Sequence, residues 1–142
     1  MDHSSQRTTF FLESLQDAMA DLRRTANHYV RRGGAAVPSF LVLSARPFTI
    51  LEEAGRREFR GAVSLGLHVT GSDRREYELG VDVLWDDEGW TIQTEASVET
   101  DDGGQALLRA LSEQHAATLE DCVSMMRTAV ASLTGFEDLV PG

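Results

Sequence analysis

Three consecutive acids between two tryptophans are the first place in this chain where metal or acid–base chemistry would be sought. Asp86–Glu88 lies between Trp85 and Trp90, followed by a glycine. A calcium loop needs about twelve residues with spaced ligands, and this segment is too short to supply them. We therefore interpret Asp86–Gly89 as a hairpin loop that is closed by the tryptophan pair, with a positive φ at its glycine.

Two residues near the C-terminus, His115 and Cys122, have side chains that could act as a base and a nucleophile. On the helix predicted there they lie two turns apart, about 10 Å, whereas a reactive Cys–His pair needs about 3 Å. No catalytic residue is predicted. His115 is either a core histidine bonded to a backbone carbonyl or a tyrosine, or the polar anchor of a ligand cavity that Tyr29, Tyr77 and the tryptophans also line.

Other chemical motifs are absent from the sequence. All 13 basic residues are arginine, which excludes a phosphate-binding P-loop lysine and a Schiff-base lysine. No two histidines have the helical spacing of a zinc protease, and Gly33-Gly34 and Gly103-Gly104 are too short to cradle phosphates. The sequence therefore predicts no metal and no cofactor.

The charge balance limits the classes of partner. The 142 residues carry a formal net charge of -10, with a pI near 4.7, and such a domain repels nucleic acid and anionic membranes. No apolar run reaches the roughly 20 residues of a membrane helix, no signal peptide is recognisable, and a single cysteine excludes an internal disulfide. We expect one cytoplasmic domain over residues 1–142, with tails at 1–7 and 136–142.

The middle of the chain alternates apolar and polar residues with the period of half-buried antiparallel strands. Three strands follow from residues 59–70, 76–85 and 90–99, and Phe48–Glu52 is expected to add a fourth. A turn at Gly71–Asp73 sets Leu67 opposite Tyr77, and the loop at Asp86–Gly89 pairs the two tryptophans. The fourth strand would turn at residues 54–57 and set Ile50 opposite Gly61.

Two helices are predicted to cover one face of this sheet. Apolar residues spaced three and four apart indicate helices over about residues 9–32 and 103–134. Residues 35–47 fit a short strand or a helical turn, and we interpret them as a connector. The predicted fold is α+β, a two-layer sandwich of a four-stranded antiparallel meander (about 48–99) with both helices on one face.

The polar face of the sheet is the candidate partner face. The predicted register sets His68 beside Glu76 and Glu76 beside Glu99. A solvated surface, an acid–base or metal constellation, and a contact face are all consistent with this row. Facing carboxylates repel, and a partner with arginines would relieve that repulsion. The residues of the candidate partner face are Glu76, Glu78, Asp82, Glu95, Glu99 and His68.

These observations favour a non-enzymatic, acidic protein-interaction domain of a bacterial system: an adaptor, a chaperone-like protein or an immunity-like protein. Its partner would be another protein with a basic surface. A homodimer is expected from Leu107, Met125 and Met126 on the second helix and from apolar residues after 135. The alternative is a small-molecule-binding or catalytic domain with a cavity between sheet and helices near His115.

Overall fold

The described chain begins with a long helix, continues through eight strands and closes with a shorter helix. The computed structural model describes residues 3–142, with side chains described for residues 5–39 and 45–142. In chain order the elements are α1 (His3–Arg31), β1 (Ala35–Ser44), β2 (Phe48–Glu52), β3 (Gly55–Phe59), β4 (Gly61–Thr70), β5 (Glu76–Trp85), β6 (Trp90–Glu99), β7 (Gln105–Ala110), β8 (Gln114–Ala116), α2 (Leu119–Ala131) and a 3-10 turn (Ser132–Phe136).

Six strands form one antiparallel sheet in the order β1-β4-β5-β6-β7, and β8 also pairs with β6. Because β5 occupies one edge of β6 from Trp90 to Val98, both β7 and β8 must lie along its other edge. They form one interrupted strand there, with a gap between Ala110 and Gln114. The strands β2 and β3 form a separate two-stranded hairpin.

One face of the sheet, here called the inner face, packs against both helices. The apolar positions of β4 and β5, such as Leu67, Leu79 and Val81, are fully buried there with Leu22 and Tyr29 of α1 and with residues of α2. The opposite face is called the outer face. The expected α+β fold, with an antiparallel sheet and helices packed against it, is confirmed.

The second hairpin has the predicted register. Trp85 faces Trp90, Val83 faces Ile92 and Tyr77 faces Val98. The loop closes with a bond from the Asp86 amide to the Gly89 carbonyl, 3.0 Å. The Asp86 carboxylate accepts from the amides of Glu88 and Gly89. The Asp86 carboxylate therefore organises the loop.

The first hairpin is shifted by two residues from the predicted register. Leu67 faces Leu79, and Tyr77 faces Val69. The loop is five residues long, because the Gly71 amide bonds to the Arg75 carbonyl, and Arg74 takes a left-handed φ of 65°. A non-glycine residue in that conformation is uncommon, and nothing in the residue pattern predicted it. The shift is even, so the apolar side chains keep the predicted face.

Two predictions about residues 35–59 were wrong. The expected connector at 35–47 contains β1, which pairs with β4 along its length and places Pro38 in an edge strand, where proline is tolerated. Phe48–Glu52 does not pair with β4. It pairs with β3, so that Phe48 faces Phe59 and Ile50 faces Arg57, and Ile50 is not opposite Gly61.

The predicted helix over residues 103–134 was wrong in its first half. Residues 105–110 and 114–116 are strands, and α2 starts only at Leu119, where the Thr118 hydroxyl accepts from the Asp121 amide. The spacing of Leu108, Leu111 and His115 imitated a helical stripe. In fact Leu108 and Leu111 are more than 40% exposed at the sheet edge.

The expected tails are also part of the fold. Residues 3–7 belong to α1, which ends at Arg31 and so matches the predicted C-terminus of the first helix. Phe136 and Val140 are buried, and the Arg32 guanidinium donates to the Val140 carbonyl, 3.2 Å. Because Phe136, Val140 and Met126 are buried within the chain, they do not supply an exposed dimer surface.

Replacing Gly89 by alanine tests the tryptophan-closed loop. Gly89 has a φ of +150°, and a Cβ there would lie 2.4 Å from the Ala116 carbonyl oxygen. We expect Gly89→Ala to lower the free energy of unfolding by about 3 kcal/mol, from strain and displacement of β8. Gly103 is the matched position: its φ is +85°, and a methyl group added there would meet open space. Gly103→Ala should therefore lower the free energy of unfolding by about 1 kcal/mol. Urea denaturation measures both, and equal losses would contradict the contact with β8.

Candidate functional site

The outer face is organised as rows of residues that pair across the strands. One row runs through Ser39, Gly66, Gly80, Glu95 and Ala110. On one side of it lies the row Val37, His68, Glu78, Ser97 and Leu107. On the other side, Ser64, Asp82 and Gln93 pair across three strands. Apart from Glu95, the side chains of the middle row are small, so the surface dips along Ser39, Gly66 and Gly80.

The hairpin β2–β3 covers one end of the outer face. Phe59, Ala62 and Leu84 form a second buried cluster against which Phe48 and Ile50 pack. Ala62 and Leu84 pair with each other in the row next to Ser64 and Asp82. Without the hairpin, this apolar end of the outer face would be exposed.

Arg57 ties the hairpin to the far edge of the sheet. Its guanidinium donates to both carboxylate oxygens of Glu113, at 3.0 and 2.9 Å, and reaches Glu52 and the Thr91 hydroxyl at 3.3 Å. It also lies over the Phe59 ring, 4.9 Å from its centroid. The side chain of Gln93 donates to the same Glu113, at 2.6 Å. This network closes one end of the uncovered surface.

The uncovered part of the outer face contains a depression of about 290 Å³. Its floor is formed by Ser39, Gly66 and Gly80 of the middle row. Glu95 of the same row and Glu78 and Asp82 of the flanking rows also line it, and we call it the acidic depression. Its lining residues are Ser39, Ser64, Leu65, Gly66, His68, Glu78, Gly80, Asp82, Glu95 and Ser97.

Two carboxyls of the acidic depression have raised pKa values. Burial raises the pKa of Asp82 most, the Glu78 carboxylate raises it further, and a hydrogen bond from the Ser64 hydroxyl opposes both. Burial also raises the pKa of Glu95, and the Asp82 carboxylate adds to it. The charges that act on this pair are therefore carboxylates of the same surface. A cation placed here would stabilise the ionised forms of both groups.

The structure brings together four of the six residues predicted for the partner face. His68, Glu78, Asp82 and Glu95 line the acidic depression, with His68 opposite Glu78 and not opposite Glu76 as predicted. This difference follows from the two-residue shift of the first hairpin.

Glu76 and Glu99 lie at strand ends, outside the depression. The Thr70 hydroxyl donates to the Glu76 carboxylate at 2.9 Å, and Glu99 faces Gln105. Sequence reasoning also missed Ser39, because β1 was taken for a connector. Residues 35–39 do not alternate between apolar and polar types, so no period of two in the sequence marked this strand.

The three residues of the predicted cavity make hydrogen bonds in three different parts of the structure. The buried Tyr29 hydroxyl donates to the Leu133 carbonyl, 2.5 Å, and burial raises its pKa to about 12. The Tyr77 hydroxyl donates to Asp73, 2.6 Å, and its pKa is about 12, raised by burial and by that carboxylate. His115 lies on β8 and not on a helix, and its side chain is 65% exposed.

His115 instead takes part in a polar network on the outer face. Its Nδ1 lies 3.2 Å from the Thr91 hydroxyl, and its Nε2 lies 3.8 Å from Glu113. A depression of about 420 Å³ adjoins it, lined also by Arg57 and Trp90. Cys122 is fully buried in the core, and its pKa is about 12 because of burial.

Comparison with protein-family models, with curated proteins and with solved structures finds no match for the chain. Within residues 3–142, the described side chains (5–39 and 45–142) include no group of three or more histidine, cysteine or carboxylate residues that could hold a metal ion. No helix of that range is both long and apolar enough to cross a membrane. The acidic depression therefore has to be interpreted from its own chemistry.

The pH dependence of stability tests the environment of Asp82. Because its pKa is raised on folding, the folded state holds a proton more tightly than the unfolded chain. The free energy of unfolding should therefore fall as pH rises from the unfolded pKa through the raised folded pKa. Asp82→Asn, which can still bond to Ser64, should make this fall shallower. Urea denaturation at several pH values between about 3 and 7 measures it.

Asp73→Asn is the control of opposite sign. The hydrogen bond from Tyr77 chiefly lowers the Asp73 pKa, so Asp73 contributes stability above its unfolded pKa, which is lost as pH falls through the folded pKa. The variant should lose stability near neutral pH. If Asp82→Asn follows the wild-type profile, the desolvation of Asp82 is refuted.

Proposed function

We propose that the protein is a non-enzymatic interaction domain whose outer face binds a basic segment of another protein. The observation that supports this is the acidic depression. It is a concave surface with three carboxylates, two of them with pKa values raised by burial and by neighbouring acids. A bound arginine or lysine would remove that repulsion and would donate to the same oxygens.

The arginines whose ion pairs are described lie outside the acidic depression. Arg24 and Arg127 pair with Asp21 on the helices, and Arg57, Arg60 and Arg109 pair with acids of the hairpin, a turn and the C-terminal segment. These contacts tie elements of the chain together. The depression thus keeps an excess of negative charge that a partner can neutralise.

A protein partner fits better than a polyanion. The chain carries a net charge of -10, so phosphate backbones and anionic lipid surfaces are repelled, whereas a basic protein surface is attracted over about 10 Å at moderate salt. We place such a domain in a bacterial cytoplasm as an adaptor, a chaperone-like protein or an immunity-like protein. A homodimer stays a prediction, which sedimentation can test.

A charge-matched pair of triple variants tests the proposed function. Glu78→Gln/Asp82→Asn/Glu95→Gln should weaken binding of a fluorescent nona-arginine peptide by about 10-fold in anisotropy titrations, because each removes a charge-assisted contact. The control Glu13→Gln/Asp17→Asn/Glu53→Gln changes the net charge equally at exposed sites on α1 and the hairpin turn. It should retain affinity. Equal losses of affinity in both variants would show that binding depends on net charge alone and would contradict the proposal.

The depression beside His115 supports a second candidate, a small-molecule site. Its lining combines a partly exposed tryptophan with His115 and Arg57. If a metabolite binds there, Trp90 fluorescence should change on titration, and His115→Ala should abolish the change while leaving the melting temperature of the free protein unaltered. A panel of small metabolites with no fluorescence or melting-temperature response would eliminate this candidate.

A further inference from the structure

The row that contains His68 and Glu78 ends in an exposed apolar residue at each edge of the sheet. Val37 on β1 is 63% exposed and Leu107 on β7 is 60% exposed. Both lie on the outer face, because they pair with His68 and Ser97 respectively. Across the five strands the row therefore reads apolar, then polar and acidic, then apolar.

The dimensions of this surface suit a helix lying across the strands. Four inter-strand spacings separate Val37 from Leu107, about 19 Å. The two rows that flank the middle row are four residues apart along each strand, about 13 Å. A helix with its side chains is about 10–12 Å wide and so fits between them. Gly66 and Gly80 on the floor allow close approach.

We propose that the acidic depression and its two apolar ends together bind an amphipathic helical segment of a partner protein, about 13 residues long, with basic residues at its centre and apolar residues at both ends. The inference rests on the proposed function and extends it, because it specifies where the apolar side chains of the partner must lie. The central cations contact Glu78, Asp82 and Glu95, and the terminal apolar side chains contact Val37 and Leu107.

Charge decides against a second copy of the chain and against a membrane as the occupant. Two copies facing each other across this surface would bring two sets of Glu78, Asp82 and Glu95 together, and like charges in contact are destabilising. An anionic lipid surface would be repelled in the same way. A basic amphipathic segment supplies both the opposite charge and the apolar ends.

Two synthetic helical peptides of equal length and charge test the proposal. Both carry three central arginines on one face, and on that face one has leucines near both ends where the other has alanines. In anisotropy titrations the leucine peptide should bind the wild-type protein about 10-fold tighter, because it buries two further apolar contacts. Val37→Ser/Leu107→Ser should remove this advantage and leave the affinity for the alanine peptide unchanged.

The control Leu12→Ser/Leu51→Ser removes two leucines that are 55% and 78% exposed on α1 and the hairpin, and should keep the advantage. Equal affinities of the two peptides for the wild-type protein would overturn this inference and leave the proposed function standing. Failure of both peptides to bind would overturn both. A wild-type dimer in sedimentation that Val37→Ser/Leu107→Ser converts to a monomer would assign these residues to self-association and overturn the inference.

Discussion

Burial of one face of the central sheet beneath α1 and α2 is the constraint on which the rest of the structure depends. Leu67, Leu79 and Val81 are fully buried on that face, and a strand that slipped by one residue would exchange them for their polar neighbours. Because the apolar residues must face the helices, the alternate residues of each strand must face outward. His68 and Glu78 point away from the helices because the residues beside them point toward the helices.

The hairpin β2–β3 explains why only part of the outer face is open. The outer positions nearest the tryptophan-closed loop include Ala62 and Leu84, which are apolar and need cover. Phe48, Ile50 and Phe59 supply it. The next outer positions toward the other end are Ser64 and Asp82, where burial under an apolar hairpin would cost free energy. The hairpin therefore covers only the apolar positions of the outer face, and the acidic depression begins beyond them.

The sequence predicted the three central strands and the inner face, because a period of two over ten residues is hard to mistake. It did not predict β1, whose proline suggested a break, or the division of residues 103–134 into strand and helix. In that segment leucines at helical spacing coincide with an edge strand. Period alone cannot distinguish an exposed edge from a buried stripe, because only the tertiary structure shows which leucines are covered.

The acidic face could be assigned from sequence, but its exact membership could not. The alternation along the strands placed Glu78, Asp82 and Glu95 correctly on the outer face, and the predicted pairs between β5 and β6 are also observed. Only the neighbours on β4 depended on the loop in which Arg74 is left-handed. The excess of negative charge at the centre also has a structural cause. Arg57, Arg109 and Arg127 hold the hairpin, the C-terminal segment and the helix pair in place through Glu113, Asp138 and Asp21. The fold engages these three cations at the contacts between its elements, away from the carboxylates that line the acidic depression.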